Sequence, residues 1–237
     1  MFPILTVALG KVQELSVHLG HNYKGAAPDI ALLAQLTELR YLDIRIDIVT
    51  ATPPDAIAPL GSLSTLRALC FEARDVVSSP ISGFDDTFFR SLVSGLVDLR
   101  RLRLYFVFGN LTTASLIAPA KYCPSLQSCE VACLDVDILD FRPCRVPLFP
   151  RLKELCIGRF VGTLWGKEFP AEHASILALY LPNLDYLSRV VTPFSRPCER
   201  FHHEVEIAWR KNRSAEGKQV RLYGRRSKEW LRRKISY

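Results

Sequence analysis

Residues 39–44 read Leu-Arg-Tyr-Leu-Asp-Ile, residues 66–71 read Leu-Arg-Ala-Leu-Cys-Phe, and residues 99–104 read Leu-Arg-Arg-Leu-Arg-Leu. Each is the same short phrase, apolar-x-x-apolar-x-apolar. Working outward, it recurs at Val12-Leu15-Val17, Leu126-Cys129-Val131 and Leu152-Leu155-Ile157, and imperfectly at Leu184-Leu187-Arg189. The first positions are separated by 27, 27, 33, 27, 26 and 32 residues. Self-similarity at such a period signals a stack of supersecondary units, each too small to bury its own apolar face. The last two apolar positions of the phrase alternate with polar ones, which is the period of a strand with one buried face. Each unit therefore contributes one strand.

Between the phrases lie stretches of helical character at residues 28–36, 54–60, 85–96, 112–122 and 171–181. Asp85, Asp86 and Thr87 supply a start signal ahead of Phe88, Leu92, Val93 and Leu96, which form a helical stripe. Residues 135–150 carry Pro143, Pro147 and Pro150 and make a poor helix, so extended or short 3₁₀ structure is expected there.

The phrase, the Leu-Arg pairs at 39–40, 66–67 and 99–100, and the lead-ins Cys-Pro-Ser-Leu at 123–126 and Leu-Pro-Asn-Leu at 181–184 resemble leucine-rich-repeat proteins. They are similar in particular to the repeat regions of fungal F-box proteins. The resemblance covers residues 5 to 191. It implies an α/β leucine-rich-repeat solenoid of about seven repeats, with a curved parallel sheet on the concave face and helices on the convex face. Residues 1–191 form the solenoid and residues 192–237 a basic C-terminal capping helix and tail. The implied function is non-catalytic protein binding, as in substrate recognition by F-box ubiquitin-ligase subunits. No F-box is visible in the chain, so a Skp-cullin ubiquitin ligase is an expected partner only if an F-box lies upstream.

Residues between the buried positions of each strand point to the face that such stacks use for partners. One row across the units reads Glu14, Tyr41, Ala68, Arg101, Ser128, Glu154, Tyr186. The next reads Ser16, Asp43, Cys70, Arg103, Glu130, Cys156, Ser188. The middle is basic, with Tyr105 nearby, and is flanked by acids. Arg and Tyr are frequent binding hot spots. Tyr41, Asp43, Arg101, Arg103, Tyr105, Glu130 and Glu154 are therefore the expected partner-binding residues, against the ordinary alternative that exposed charge is only solvated. The row Arg40, Arg67 and Arg100 reads as part of the repeat pattern.

Composition narrows the class. The chain has 237 residues, is 49% hydrophobic and 23% charged, and carries a net charge of +7, as expected of a soluble globular protein. Residues 192–237 hold 13 Lys/Arg against 5 Asp/Glu; the totals of 31 and 24 leave 18 and 19 for residues 1–191, so the body is neutral and the tail basic. In the tail, Phe201, Val205, Ala208 and Trp209 share a helical face suited to covering the last unit. Beyond it, Arg221, Arg225, Arg226, Arg232, Arg233 and Lys234 alternate with Tyr223 and Trp230. That composition fits a charged outer helix face, or a contact with nucleic acid or an acidic partner. The alternative function is accordingly a free-standing scaffold or nucleic-acid-associated protein that uses its tail.

Seven cysteines without regular pairing point to a reducing compartment, cytoplasmic or nuclear. Cys123, Cys129 and Cys133, and separately Cys198, His202 and His203, lack a complete set of zinc ligands, so no metal is expected. Neither a phosphate-cradling loop nor a nucleophile elbow is present, and neither enzyme activity nor a cofactor is expected. The apolar start, residues 1–10, is far short of the roughly 18 apolar residues a span requires. A monomer without membrane attachment is expected.

Overall fold

The computed structural model describes residues 11–19, 28–47, 57–74, 84–105, 110–161, 169–189 and 199–215. Over these the chain is an α/β structure built on a seven-stranded, all-parallel sheet. The strands are β1 (Glu14–Leu19), β2 (Tyr41–Asp47), β3 (Ala68–Arg74), β4 (Arg101–Tyr105), β5 (Ser128–Asp137), β6 (Glu154–Val161) and β7 (Tyr186–Arg189), and they lie side by side in chain order. Parallel neighbours need a crossover between them. The crossovers described carry helix α1 (Pro28–Leu32) with a 3₁₀ turn at Leu33–Gln35, a 3₁₀ turn at Ala58–Ser62, α2 (Asp86–Ser94), α3 (Thr113–Tyr122), a 3₁₀ turn at Ile138–Phe141, and α4 (Phe169–Tyr180). Helix α5 (Glu199–Ala215) follows the last strand.

The alternation in the strands sorts their side chains. Leu42, Ile44, Leu69, Phe71, Leu102, Leu104, Cys129, Val131, Leu155, Ile157 and Leu187 are all buried, in one continuous core with Leu92, Leu116 and Leu177 of the helices. Ahead of most strands the chain makes the same tight turn. The amides of Leu39, Leu66, Leu99, Leu126 and Leu184 donate to the carbonyls of Leu36, Leu63, Leu96, Cys123 and Leu181 three residues back, at 3.0 to 3.1 Å. Both ends of every such turn are buried, so the apolar anchor and the hydrogen bond fix the strand entry together. The turns also bind one another. Thr65 Oγ1 donates to Thr37 O at 2.7 Å, and Asn183 Nδ2 donates to Pro150 O at 2.6 Å.

Helix α2 starts where its sequence signal lies. Asp85 is extended, and its Oδ1 accepts from the amides of Thr87 and Phe88 at 3.0 and 2.9 Å. Phe89 rather than Phe88 is the fully buried ring. Of residues 54–60, those described are an α-helical Ile57 and the start of the 3₁₀ turn Ala58–Ser62, with Pro59 early in it; residues 54–56 lie outside the described residues. Residues 135–150 are extended to Asp137, then 3₁₀, then irregular. Helix α5 packs on α4 and places Val205 and Trp209 in the core.

Candidate partner-binding face

The polar rows come from the other half of the strand alternation. Tyr41, Ala68, Arg101, Ser128, Glu154 and Tyr186 are successive Cα partners, as are Asp43, Cys70, Arg103, Glu130, Cys156 and Ser188. Glu14 and Ser16 of β1 begin the two rows. All seven expected contact residues thus stand on one sheet face, opposite the helices. A third row, Arg45, Glu72 and Tyr105, follows two residues further along the strands. Only Tyr105 of it was anticipated, although Arg45 and Glu72 are the next steps of the same alternation.

Most charges on this face are already paired. Arg103 Nε donates to Glu130 Oε2 at 2.6 Å across β4 and β5, with the two side chains 49% and 25% exposed. Burial works against the guanidinium charge, but the Glu130 carboxylate overrides it and raises the Arg103 pKa. The middle of the face is therefore less basic than its composition suggests. Asp43 departs further from expectation. It is 4% exposed, because Arg45, two residues on, lays its Nη2 3.0 Å from Asp43 Oδ2 and its Nε 3.4 Å from Oδ1. Asp43 fixes Arg45 and is not itself an accessible contact. Glu154 is exposed and accepts from Ser128 Oγ at 3.0 Å. Arg101 is exposed and forms no ion pair among the described residues.

The aromatic and thiol groups of the face are held neutral. Burial, then Asp43, pushes the Tyr41 hydroxyl above its usual range; burial, then Glu72 and Glu130, does the same for Tyr105. Burial and the Asp43 carboxylate push the Cys70 thiol to about 12, and Cys156 is raised by burial and by Glu130. A thiol so far from ionising is a poor nucleophile and a poor metal ligand. Cys123 and Cys129 are buried core residues raised to about 12 by burial. No group of three His, Cys, Asp or Glu suited to a metal occurs among the described residues.

A further ion pair on this face was not anticipated. Between Val131 and Asp135, β5 gains two residues on β6, and beyond this bulge Asp135 pairs with Arg159. Arg159 Nε donates to Asp135 Oδ1 at 2.7 Å, and its Nη2 contacts Oδ2. The bulge presses on Gly158, where a Cβ would stand 2.4 Å from Ala132 O. Another unanticipated residue is Arg213 of α5, 4% exposed, whose Nη1 donates to Pro182 O at 2.6 Å.

Arg221, Arg225, Arg226, Arg232, Arg233 and Lys234 lie outside the described residues, as do Cys198 and the side chains of His202 and His203. No helix among the described residues is long and apolar enough to cross a membrane. Compared with protein-family models and with curated proteins, the chain matches none.

Proposed function

We propose that this protein is a leucine-rich-repeat solenoid that binds another protein on the exposed face of its sheet, without catalysis, as a recognition module of the kind found in F-box ubiquitin-ligase subunits. The observation that carries this reading is the register. Consecutive parallel strands hold Tyr41, Arg101, Glu154 and Tyr186 in one row and Arg103 and Glu130 in the next, on the face opposite the described helices. Such a row offers rigid aromatic and arginine groups at fixed spacing, which suits a protein partner. Its paired charges give specificity more than affinity.

The test exchanges two exposed charges, Arg101→Glu with Glu154→Arg, which leaves the net charge unchanged. A defined protein captured by the unaltered chain from nuclease-treated lysate, then purified, should bind the double variant at least about tenfold more weakly, the loss of a charged hot spot. Undiminished binding by the variant would remove the face from the reading. Capture that occurs only when nuclease is omitted, or binding that falls steeply with salt, would favour a nucleic-acid-associated role through the basic tail.

A further inference from the structure

The residue immediately before each of β2, β3 and β4 is an arginine, and the backbone holds the three at the same step. The Arg40 carbonyl accepts from the amides of Arg67 and Ala68 at 2.7 and 2.9 Å. Arg67 O accepts from Arg100 and Arg101 at 2.8 and 3.0 Å, and Arg100 O from Gln127 and Ser128 at 2.8 and 3.1 Å. Adjacent parallel strands stand about 4.8 Å apart, so three arginine stems leave the N-terminal edge of the sheet within about 10 Å. Arg101, first residue of β4, adds a fourth cation beside them.

All four are exposed, and none makes an ion pair or a side-chain hydrogen bond among the described residues. By contrast Arg45, Arg103, Arg142, Arg159, Arg210 and Arg213 each face a carboxylate, while Arg90, Arg145 and Arg151, exposed and likewise without an ion pair among the described residues, do not stand at this step of the strands. Glu38 and Asp98, on the turns two residues before Arg40 and Arg100, are exposed and pair with neither. The turn does not require arginine for its own sake. Its hydrogen bonds are made by backbone groups, and Gln127 and Lys153 serve the same step further along, where their carbonyls accept from Lys153 and Asp185. Like charges this close repel, and water and salt reduce that cost without reversing it.

We propose that Arg40, Arg67, Arg100 and Arg101 form an anion ladder that docks a short acidic segment of the partner protein. The planar guanidinium fork takes carboxylate or phosphoryl oxygens two at a time. The ladder spans three strands; at the same step the line continues to Gln13 ahead of β1, whose carbonyl accepts from the Arg40 amide, and to Gln127 and Lys153 ahead of β5 and β6. That length matches three or four extended residues at about 3.3 Å each. A nucleic-acid backbone following the same line would leave the three arginines for the uncharged Gln13 and Gln127. The proposal rests on the protein-binding reading only in assigning the acidic segment to the protein held on the adjacent face.

The experiment is fluorescence anisotropy on the full chain with three labelled probes: an eight-residue Glu-Ser peptide, the same peptide with phosphoserine, and a ten-nucleotide single strand. The triple variant Arg40→Gln, Arg67→Gln, Arg100→Gln should bind the acidic peptides at least about tenfold more weakly, as loss of three charge-assisted contacts implies, with an unchanged thermal midpoint. The single Arg67→Gln should show the same loss in smaller measure, about threefold. A tail variant with Arg221, Arg225, Arg226, Arg232, Arg233 and Lys234 all changed to Gln should keep peptide affinity. The tighter of the two peptides identifies carboxylate or phosphoryl as the anion. Peptide affinity unchanged in the triple variant, lost only in the tail variant, or exceeded by the oligonucleotide at physiological salt overturns the ladder. If the ladder fails while the Arg101→Glu, Glu154→Arg exchange still releases the captured protein, the face reading survives alone. Peptide loss in the triple variant without any face-dependent partner leaves the ladder standing and removes the face.

Discussion

A methyl group added at Gly95 would stand 1.9 Å from the carbonyl oxygen of Gly61, which belongs to the preceding crossover. Neither partner in that contact is a movable side chain, so Gly95→Ala must shift backbone. It should cost about 1–3 kcal/mol, the usual range for overpacking, read as a lower urea midpoint with an unchanged slope. The cysteines set a different limit. Cys70, Cys123, Cys129 and Cys133 all have thiols raised from 9.0 to about 12, chiefly by burial. At pH 8 that leaves about a thousandth of the thiolate of an ordinary cysteine, so these four should resist iodoacetamide until the chain unfolds. The linkage has a definite sign. Because the folded pKa values lie above the unfolded ones, this contribution to stability is intact below pH 9.0 and is lost progressively toward pH 12. Urea midpoints at pH 7 and pH 10 should differ in that direction, and the difference should shrink when Cys129 is replaced by Ala in a matched pair.

Among the elements, α2 and α3 are joined by one carboxylate. Asp86 Oδ1 accepts from Thr112 N at 2.8 Å and from Ser115 Oγ at 2.5 Å, and Oδ2 accepts from Thr112 Oγ1 at 2.6 Å. Burial raises the Asp86 pKa, yet these hydrogen bonds outweigh it and hold the carboxyl below 3.8. Asp86→Ala should therefore cost about 2–3 kcal/mol, since it strands the donors of a half-buried network, and the loss should appear as a lower thermal midpoint at pH 7. The stabilisation is present above pH 3.8 and fades below it, so the variant and the unaltered chain should converge in acid. The role of Asp86 was not legible in advance, because its partners lie 26 and 29 residues away. What was legible is local. The strand phrases announce themselves by alternation, and Asp85 announces α2 by its short acceptor side chain. The bulge in β5 escaped because Cys129, Val131, Ala132 and Leu134 are all apolar, so composition cannot say where the alternation changes step. The rows of the face followed directly from the strand spacing. Their ion pairing did not, since Arg103 and Glu130 are 27 residues apart and Asp43 is buried by the rotamer of Arg45.

At the scale of the whole molecule, each strand pairs only with its neighbours in chain order, so stability should be distributed along the sheet rather than shared equally. The two ends differ. At β1, Leu15 and Val17 remain half-exposed, whereas Leu42 and Ile44 beside them are fully buried. At β7, α5 brings Val205 and Trp209 into the core, and Arg213 ties the helix to Pro182 O and approaches Asp185 at 3.8 Å. Trp209 Nε1 is buried without a hydrogen-bond partner among the described residues, so the indole contributes volume rather than polarity. Trp209→Phe should consequently cost less than about 1.5 kcal/mol and Trp209→Ala about 3–5 kcal/mol. The informative readout is hydrogen exchange in the Ala variant under native conditions. If interactions run between neighbours, α4, β6 and β7 should lose protection while β2 and β3 keep theirs, with β1 exchanging fastest in both proteins. An equal loss of protection from β2 through β7 would mean instead that the sheet opens as one cooperative unit, and that α5 stabilises all of it.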